Sequence, residues 1–153
     1  GENMTNKKRG FTLAEMIIAV AILSVASMYV VQMLVVTKNL RTRSYEIDRS
    51  VRISKNIIEL ISSGESVTNS KDDLLLKMKA ENGMYILNFD EDFNISDENN
   101  ALYKLFMTMD TKDGLDNVNI KINRLKPYIL DDKKSLEISD INSIKMQRIK
   151  NNN

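Results

Sequence analysis

The stretch KKRGFTLAEM, residues 7–16, decides how the rest of the chain is interpreted. It places three cations, a glycine and one carboxylate immediately before an apolar run that extends from Met16 to Val36, MIIAVAILSVASMYVVQMLVV. A helix of about 20 apolar residues spans the roughly 30 Å hydrocarbon core of a bilayer. The run is apolar all around the helix, which indicates lipid or other apolar helices as its surroundings. The sequence therefore predicts a membrane-spanning helix with Glu15 in its first turns.

The apolar run is expected to remain in the mature protein. The segment VVTKNLRTR that follows it has no small-residue cleavage site of the kind that ends a secretory signal. Three cations precede the run, and Lys38, Arg41 and Arg43 follow it, so the cation count barely separates the two orientations. Because the first three cations are contiguous, we expect the N-terminus inside and the rest of the chain extracytoplasmic.

The composition argues against several classes of function. The 153 residues include 22 basic and 21 acidic side chains, no Cys and no His. This excludes disulfides, thiol nucleophiles, histidine bases and the usual zinc or haem ligands, and no nucleophile–base pair suggests an enzyme. We therefore expect neither catalysis nor a cofactor. The net charge of +1 points to no nucleic-acid partner, and the three C-terminal cations Lys145, Arg148 and Lys150 are expected to be solvated.

Glu15 has two interpretations. A carboxylate in the first turns of a helix is favoured by the helix dipole and lies close to the membrane interface. Glu15 also follows Phe11 by four residues, which places both on one helix face. If the chain were cut between Gly10 and Phe11, the new α-amine would lie within reach of this carboxylate or of a neighbouring chain's carboxylate. An ionisable residue within a membrane segment is a functional candidate, and this amine is its natural partner.

This order of residues resembles the N-terminus of type IV prepilins and type II secretion pseudopilins. The resemblance rests on Lys7, Lys8, Arg9, Gly10, Phe11, Thr12, Leu13, Glu15 and the apolar run. It implies that a prepilin peptidase cuts after Gly10 and methylates the amine of Phe11. It also implies that Glu15 neutralises the amine of an adjacent subunit and thereby sets registry in a hetero-oligomeric helical filament, assembled from the cytoplasmic membrane by an assembly platform.

One departure from the resemblance concerns proline. Many major pilins have a proline in the later part of the apolar helix, whereas this chain has Gln32 near that place and no proline before Pro127. The helix should therefore be straighter, which favours a minor subunit. Three alternatives stay open: a pseudopilin of a secretion or DNA-uptake system, an uncleaved single-pass anchor that presents a binding module, and an enzyme, for which the sequence shows no nucleophile–base pair.

The expected organisation has four parts. Residues 1–10 form the leader, in which residues 1–3 precede Met4, a plausible start, and are expected to be extraneous. Residues 11–36 form the membrane or filament-core helix, 37–63 an amphipathic continuation, and 64–153 a globular head. The continuation is predicted to bury Leu40, Ile47, Val51, Ile58 and Ile61 and to end near Gly64. An independent helix after a break at TKN, residues 37–39, is the alternative.

The head is expected to be a small antiparallel sheet with a short helix, which gives an α+β fold of the pilin type. The helix is predicted over 72–80, capped by Ser70 with Asp73 and closed by Gly83. A strand is predicted over 84–89, and a hairpin joins 102–110 to 117–125 through TKDG. Further strands are expected around 135–138 and 143–149, and residues 151–153 are expected to fray.

Two smaller predictions concern side chains of the head. In the second strand of the hairpin, Val118, Ile120 and Ile122 should face the core, because strand side chains alternate between the two faces. In the loop DEDFNISDE, Asp90, Asp92 and Asn94 occupy alternate positions as in a calcium loop, but Ile95 and Ala101 replace the required glycine and glutamate. A solvated acidic turn is the favoured interpretation, and no metal site is expected.

Overall fold

The computed structural model describes residues 12–113, 115–131 and 136–146. Two helices, α1 (Leu13–Ser63) and α2 (Asp73–Leu76), precede five strands: β1 (Lys79–Glu81), β2 (Met84–Phe89), β3 (Tyr103–Lys112), β4 (Leu115–Arg124) and β5 (Leu136–Met146). A 3-10 turn, Glu98–Asn100, lies between β2 and β3. The predicted α+β architecture, with a long N-terminal helix and an antiparallel sheet, is confirmed. The chain divides between Asn39 and Leu40 into two compact units, which are described separately.

Helix α1 is continuous over 51 residues, so the alternative of a break at residues 37–39 is wrong. At its end, the Gly64 N–H donates to the Ile61 carbonyl at 3.1 Å and the Glu65 N–H donates to the Leu60 carbonyl at 3.1 Å. These two bonds form a Schellman motif, which needs a left-handed residue after the helix. Gly64 supplies it with a φ of +99°, and the predicted end of the helix is confirmed.

The first unit contains the apolar part of α1. The large apolar side chains that are exposed between Leu13 and Val36 each show 56% to 77% of their surface. Ser24 and Ser27 donate their hydroxyls to the carbonyls of Val20 and Leu23, both at 2.8 Å. Both hydroxyls are therefore satisfied within the helix, which leaves its surface apolar. Among the described residues, α1 is the helix long and apolar enough to cross a membrane, by length and composition.

The second unit contains the remainder of α1, α2 and the sheet. The strands follow one another in the order β1-β2-β3-β4-β5, each antiparallel to its neighbour. One face of the sheet is buried together with Ile57 of α1 in a single apolar core. Val118, Ile120 and Ile122 belong to this core, so their predicted inward orientation is confirmed.

The prediction of which α1 face is buried is largely wrong. The fully buried positions are Glu46, Ser50, Ser54 and Ile57. Leu40 and Ile47 are 61% and 43% exposed, whereas Val51, Ile58 and Ile61 are half-buried. The spacing of apolar residues does not predict this face, because two of its residues are serines and a third is a carboxylate whose hydrogen-bond donors lie in the head.

The start of the head differs from the predicted helix over 72–80. Helix α2 ends at Leu76, and its N-cap is Asp72, whose Oδ1 accepts the Leu74 N–H at 2.8 Å. Residues 79–81 form β1, so the predicted helix is too long. Asn82 and Gly83, with φ of +51° and +78°, connect β1 to β2. Two residues with positive φ are typical of a tight hairpin turn, so Gly83 closes a hairpin instead of the helix.

The remaining strands largely follow the prediction. Strand β2 matches the predicted 84–89, and β3 and β4 form the predicted hairpin, although both strands extend further toward the turn. Asp113 begins that turn with a φ of +54°, and residue 114 lies outside the described residues. Strand β5 is one strand of 11 residues where two were predicted. Residue 135 and residues 147–153 also lie outside the described part, so their predicted structure is untested.

Candidate functional site

The first turn of α1 forms a reciprocal cap around Glu15. The carboxylate Oε2 accepts the Thr12 backbone N–H at 2.7 Å and the Thr12 hydroxyl at 3.0 Å. In return, the Glu15 N–H donates to the Thr12 Oγ1 at 3.3 Å. This is a capping box, in which a threonine N-cap and a glutamate three residues later satisfy two otherwise unpaired amides. Thr12 thereby holds the Glu15 carboxylate at the very start of the helix.

The capping box leaves one oxygen of Glu15 available. All bonds from the described residues reach Oε2, and Oε1 accepts none of them. The carboxylate can therefore accept a further donor without breaking its cap. The pattern Thr-x-x-Glu before an apolar run is a known sequence feature of helix starts, so this cap is encoded locally. The predicted cleavage residues Gly10 and Phe11 and the predicted leader cations Lys7, Lys8 and Arg9 lie outside the described residues.

A second polar cluster joins α1 to the sheet inside the second unit. Glu46 is fully buried, and its Oε1 accepts the Tyr103 hydroxyl at 2.8 Å. The Arg124 Nη1 donates to the same oxygen, and the Tyr128 hydroxyl donates to Oε2. One carboxylate of α1 is thus held by β3, by the end of β4 and by the segment after β4. We refer to Glu46, Tyr103, Arg124 and Tyr128 as the Glu46 cluster.

Arg124 is itself held on several sides. Its guanidinium lies 4.5 Å from the centre of the Tyr128 ring, and its Nε donates to the Lys126 carbonyl at 2.7 Å. Burial, followed by the hydrogen bond to Glu46, raises the pKa of Tyr128 to about 12 and raises the pKa of Tyr103 as well. Both phenols are therefore protonated donors at neutral pH. This arrangement fixes α1 on the sheet.

The sequence analysis missed the Glu46 cluster. Its members are separated by up to 82 positions, so no local spacing connects them. A glutamate at a buried helix position is unusual unless it is paired, but burial of residue 46 was itself not predicted. Only the folded sheet brings the three donors to one carboxylate.

The acidic loop after β2 is organised by its own backbone. Asp90 Oδ1 accepts the N–H groups of Asp92 and Asn94 at 3.0 and 2.9 Å, and the hydrogen bond from Asn94 lowers the pKa of Asp90. Between them, Phe93 has a φ of +61° and stacks on Tyr103 with ring centres 4.1 Å apart. Asp90 therefore stabilises a turn beside the Glu46 cluster. Asp92 and Asn94 are exposed.

No group of three His, Cys, Asp or Glu side chains suited to a metal ion occurs within residues 12–113, 115–131 and 136–146. Lys145 lies in β5, where the backbone alone is described, and Arg148 and Lys150 lie outside the described residues.

Comparison with known proteins identifies the N-terminal segment. A model of the prokaryotic N-terminal methylation motif matches residues 5–31, which include Gly10, Phe11, Thr12 and Glu15. Comparisons with curated proteins and with solved structures give no match. The motif implies processing by a prepilin peptidase and assembly with other pilins, and it is typical of a structural subunit, not of an enzyme. Together with the exposed apolar start of α1, it supports membrane anchoring before assembly and a type IV pilin-like or pseudopilin role.

Proposed function

We propose that this chain is a structural subunit, present in few copies, of a type IV pilus-like filament. The observation that carries the proposal is the methylation motif over residues 5–31, continued by a helix whose large apolar side chains are exposed among the described residues. Residues 1–10 act as the leader, 11–36 as the membrane and filament-core segment, 37–63 as the amphipathic continuation and 64–153 as the extracytoplasmic head. A prepilin peptidase cuts between Gly10 and Phe11 and methylates the new amine.

Glu15 pairs with the amine of Phe11 on an adjacent subunit during assembly. The capping box supports this role, because Thr12 fixes the carboxylate at the helix start while Oε1 stays available for an ammonium donor. In a core of apolar helices, an unpaired charge is costly, so a subunit in the wrong register is disfavoured. Registry thus follows from the pairing of one carboxylate with one amine.

The first experiment measures the intact mass and N-terminal sequence of the protein recovered from its native membrane. We expect a chain that begins at Phe11 and carries one methyl group. The variant Gly10→Leu should keep its leader, because a side chain at this position obstructs the tight site of the peptidase. A wild-type chain that still carries residues 7–10 would contradict the proposal and favour the uncleaved single-pass anchor with a binding module.

The second experiment separates the two roles of Glu15. Thr12→Val removes the capping hydroxyl but keeps the carboxylate, whereas Glu15→Gln keeps an amide oxygen but removes the charge. If the carboxylate pairs with an amine, Glu15→Gln should be cleaved normally and yet be absent from sheared filaments, while Thr12→Val is incorporated. Equal incorporation of Glu15→Gln and wild type would overturn the registry role. Equal loss in both variants would reduce Glu15 to a helix cap.

The proposal also concerns which filament system the subunit serves and how abundant the subunit is in it. The lack of a proline before Pro127 favours a minor subunit, and a pseudopilin of a type II secretion or DNA-uptake system has the same N-terminal features. Quantitative mass spectrometry of purified filaments measures the amount of this chain relative to the principal subunit and so tests the minor role. We expect this chain at a small fraction of the principal subunit, on the cell surface, and equal amounts would contradict the minor role.

A further inference from the structure

Two exposed arginines follow the apolar run. Arg41 and Arg43 lie five and seven residues after Val36, and Lys38 adds a third cation before them in the sequence. The carboxylate nearest to the arginines in the sequence, Glu46, is buried and accepts its bonds from the Glu46 cluster. The next one, Asp48, pairs with Arg52 at 2.9 Å. The positive charge beside the apolar run is therefore not neutralised by acidic side chains of the helix.

The directions of the two arginines indicate the kind of partner. Successive residues of an α-helix are about 100° apart, so Arg41 and Arg43 leave the helix about 200° apart. A protein that docks on one side of the helix reaches one of them. A layer of negative charge that surrounds the helix reaches both. Arg41 makes no hydrogen bond or ion pair with any described residue, and the Arg43 guanidinium lies 5.5 Å from the ring centre of Tyr128.

The spacing along the helix matches such a layer. The apolar run from Met16 to Val36 is about 31 Å long as a helix, close to the roughly 30 Å core of a bilayer. The head-group region adds about 5 to 7.5 Å on each side. Arg41 and Arg43 lie about 7.5 and about 10.5 Å beyond Val36 along a helix, at and just outside this layer. A flexible arginine side chain can bend several ångströms toward the membrane while its apolar stem stays packed, which brings both guanidinium groups within reach of the head groups.

We propose that Arg41 and Arg43 bind anionic phospholipid head groups around the helix while the chain is anchored in the membrane. The inference rests on the proposed function insofar as α1 must span the bilayer. Each cation close to an anionic surface strengthens binding about fivefold at moderate salt. The arginines thus hold the anchored subunit at a fixed depth, and the contacts are released when the subunit leaves the membrane for a filament.

The test uses the full chain in lipid vesicles that contain a trace of spin-labelled lipid. Labelled phosphatidylglycerol is compared with labelled phosphatidylcholine, and the fraction of each that is immobilised at the protein gives their relative association. The variant Arg41→Gln/Arg43→Gln removes the proposed contacts, and Arg41→Gln alone spares the Tyr128 ring. The matched control is Arg49→Gln/Arg52→Gln, which removes two exposed charges from the same helix about 12 to 14 Å farther along, beyond the Debye length of about 8 Å.

At about 0.15 M salt, where the Debye length is about 8 Å, we expect wild type to prefer phosphatidylglycerol at least threefold. The preference should be reduced several-fold by Arg41→Gln/Arg43→Gln, partly by Arg41→Gln, and little by the control. High salt should weaken the preference of wild type. Immobilised lipid of both kinds in equal amounts would overturn the inference and leave the anchoring intact, as would an equal loss in the control variant. If neither lipid is immobilised, the chain does not span the bilayer, and both this inference and the proposed membrane stage fail.

Discussion

The substitution Glu46→Ala tests whether the Glu46 cluster holds α1 on the sheet. In the native chain the carboxylate is fully buried and accepts the Tyr103 hydroxyl, the Tyr128 hydroxyl and the Arg124 guanidinium. Removing it leaves three donors without their acceptor, and one of them is a guanidinium of which 13% is exposed. Breaking a buried ion pair by removing one partner costs about 3 to 5 kcal/mol.

The assay is urea unfolding of the full chain in detergent, followed by tyrosine fluorescence and circular dichroism. The chain has five tyrosines and no tryptophan, so tyrosine emission is not masked. With a urea dependence of about 2 kcal/mol/M, a loss of 3 to 5 kcal/mol lowers the unfolding midpoint by roughly 1.5 to 2.5 M. Glu46→Gln keeps one acceptor oxygen and should lose less, about 1.5 to 3 kcal/mol, because hydrogen bonds to charged groups contribute about that much.

The control is Glu59→Ala, which removes an exposed carboxylate from the same helix and should change the free energy of unfolding by less than about 0.5 kcal/mol. A double variant, Glu46→Met/Arg124→Met, replaces both charges by apolar side chains and should recover much of the loss. If Glu46→Ala lowered the free energy of unfolding by less than about 1 kcal/mol, the Glu46 cluster would not be what holds α1 on the sheet.

Three further predictions concern the second unit. The pKa of Tyr128 is raised to about 12 from its ordinary 10.0, so its contribution to stability should be complete below pH 10 and be lost as pH rises toward 12. In urea titrations against pH, Tyr128→Phe should make this decline smaller, and the part due to Tyr103, whose pKa is also raised, should remain. Ser54→Ala should leave the free energy of unfolding unchanged or raise it by up to about 1 kcal/mol, because the buried Ser54 hydroxyl has no described partner. Ser54→Leu should lower it by about 1 to 3 kcal/mol through overpacking, and opposite signs in thermal melts would contradict both expectations. Gly83→Ala meets no neighbouring atom but must adopt a φ of +78°, so we expect a loss of about 1 kcal/mol, absent in the exposed control Lys71→Ala.

The local features of the fold could be predicted where the chain encodes them within a few residues. The apolar run from Met16 to Val36 predicts a long helix, Gly64 marks its end, and the alternation from Val118 to Ile122 predicts a strand with one buried face. The β1–β2 hairpin is also encoded locally, by Asn82–Gly83, because both residues readily adopt positive φ, whereas the prediction places a helix end at Gly83.

The two candidate sites also differ in whether a local sequence pattern predicts them. Glu15 was identified from its position after Phe11, although its bond to Thr12 was not. The buried face of α1 could not be found from the spacing of apolar residues, since it is built from Glu46, Ser50 and Ser54. Burial of a carboxylate is favourable only after its donors are in place, and those donors come from distant strands.

The sequence alone determined that the chain has an apolar N-terminal helix behind a short basic segment, because hydrophobicity and the order of residues 7–16 are properties of one contiguous segment. It also determined the antiparallel head, because alternation and tight turns act over a few residues. The tertiary structure decided which face of α1 meets the sheet. It did so by bringing Tyr103, Arg124 and Tyr128 around Glu46. The face with this paired carboxylate and the small serines is therefore buried, and the more apolar face with Leu40 and Ile47 is exposed.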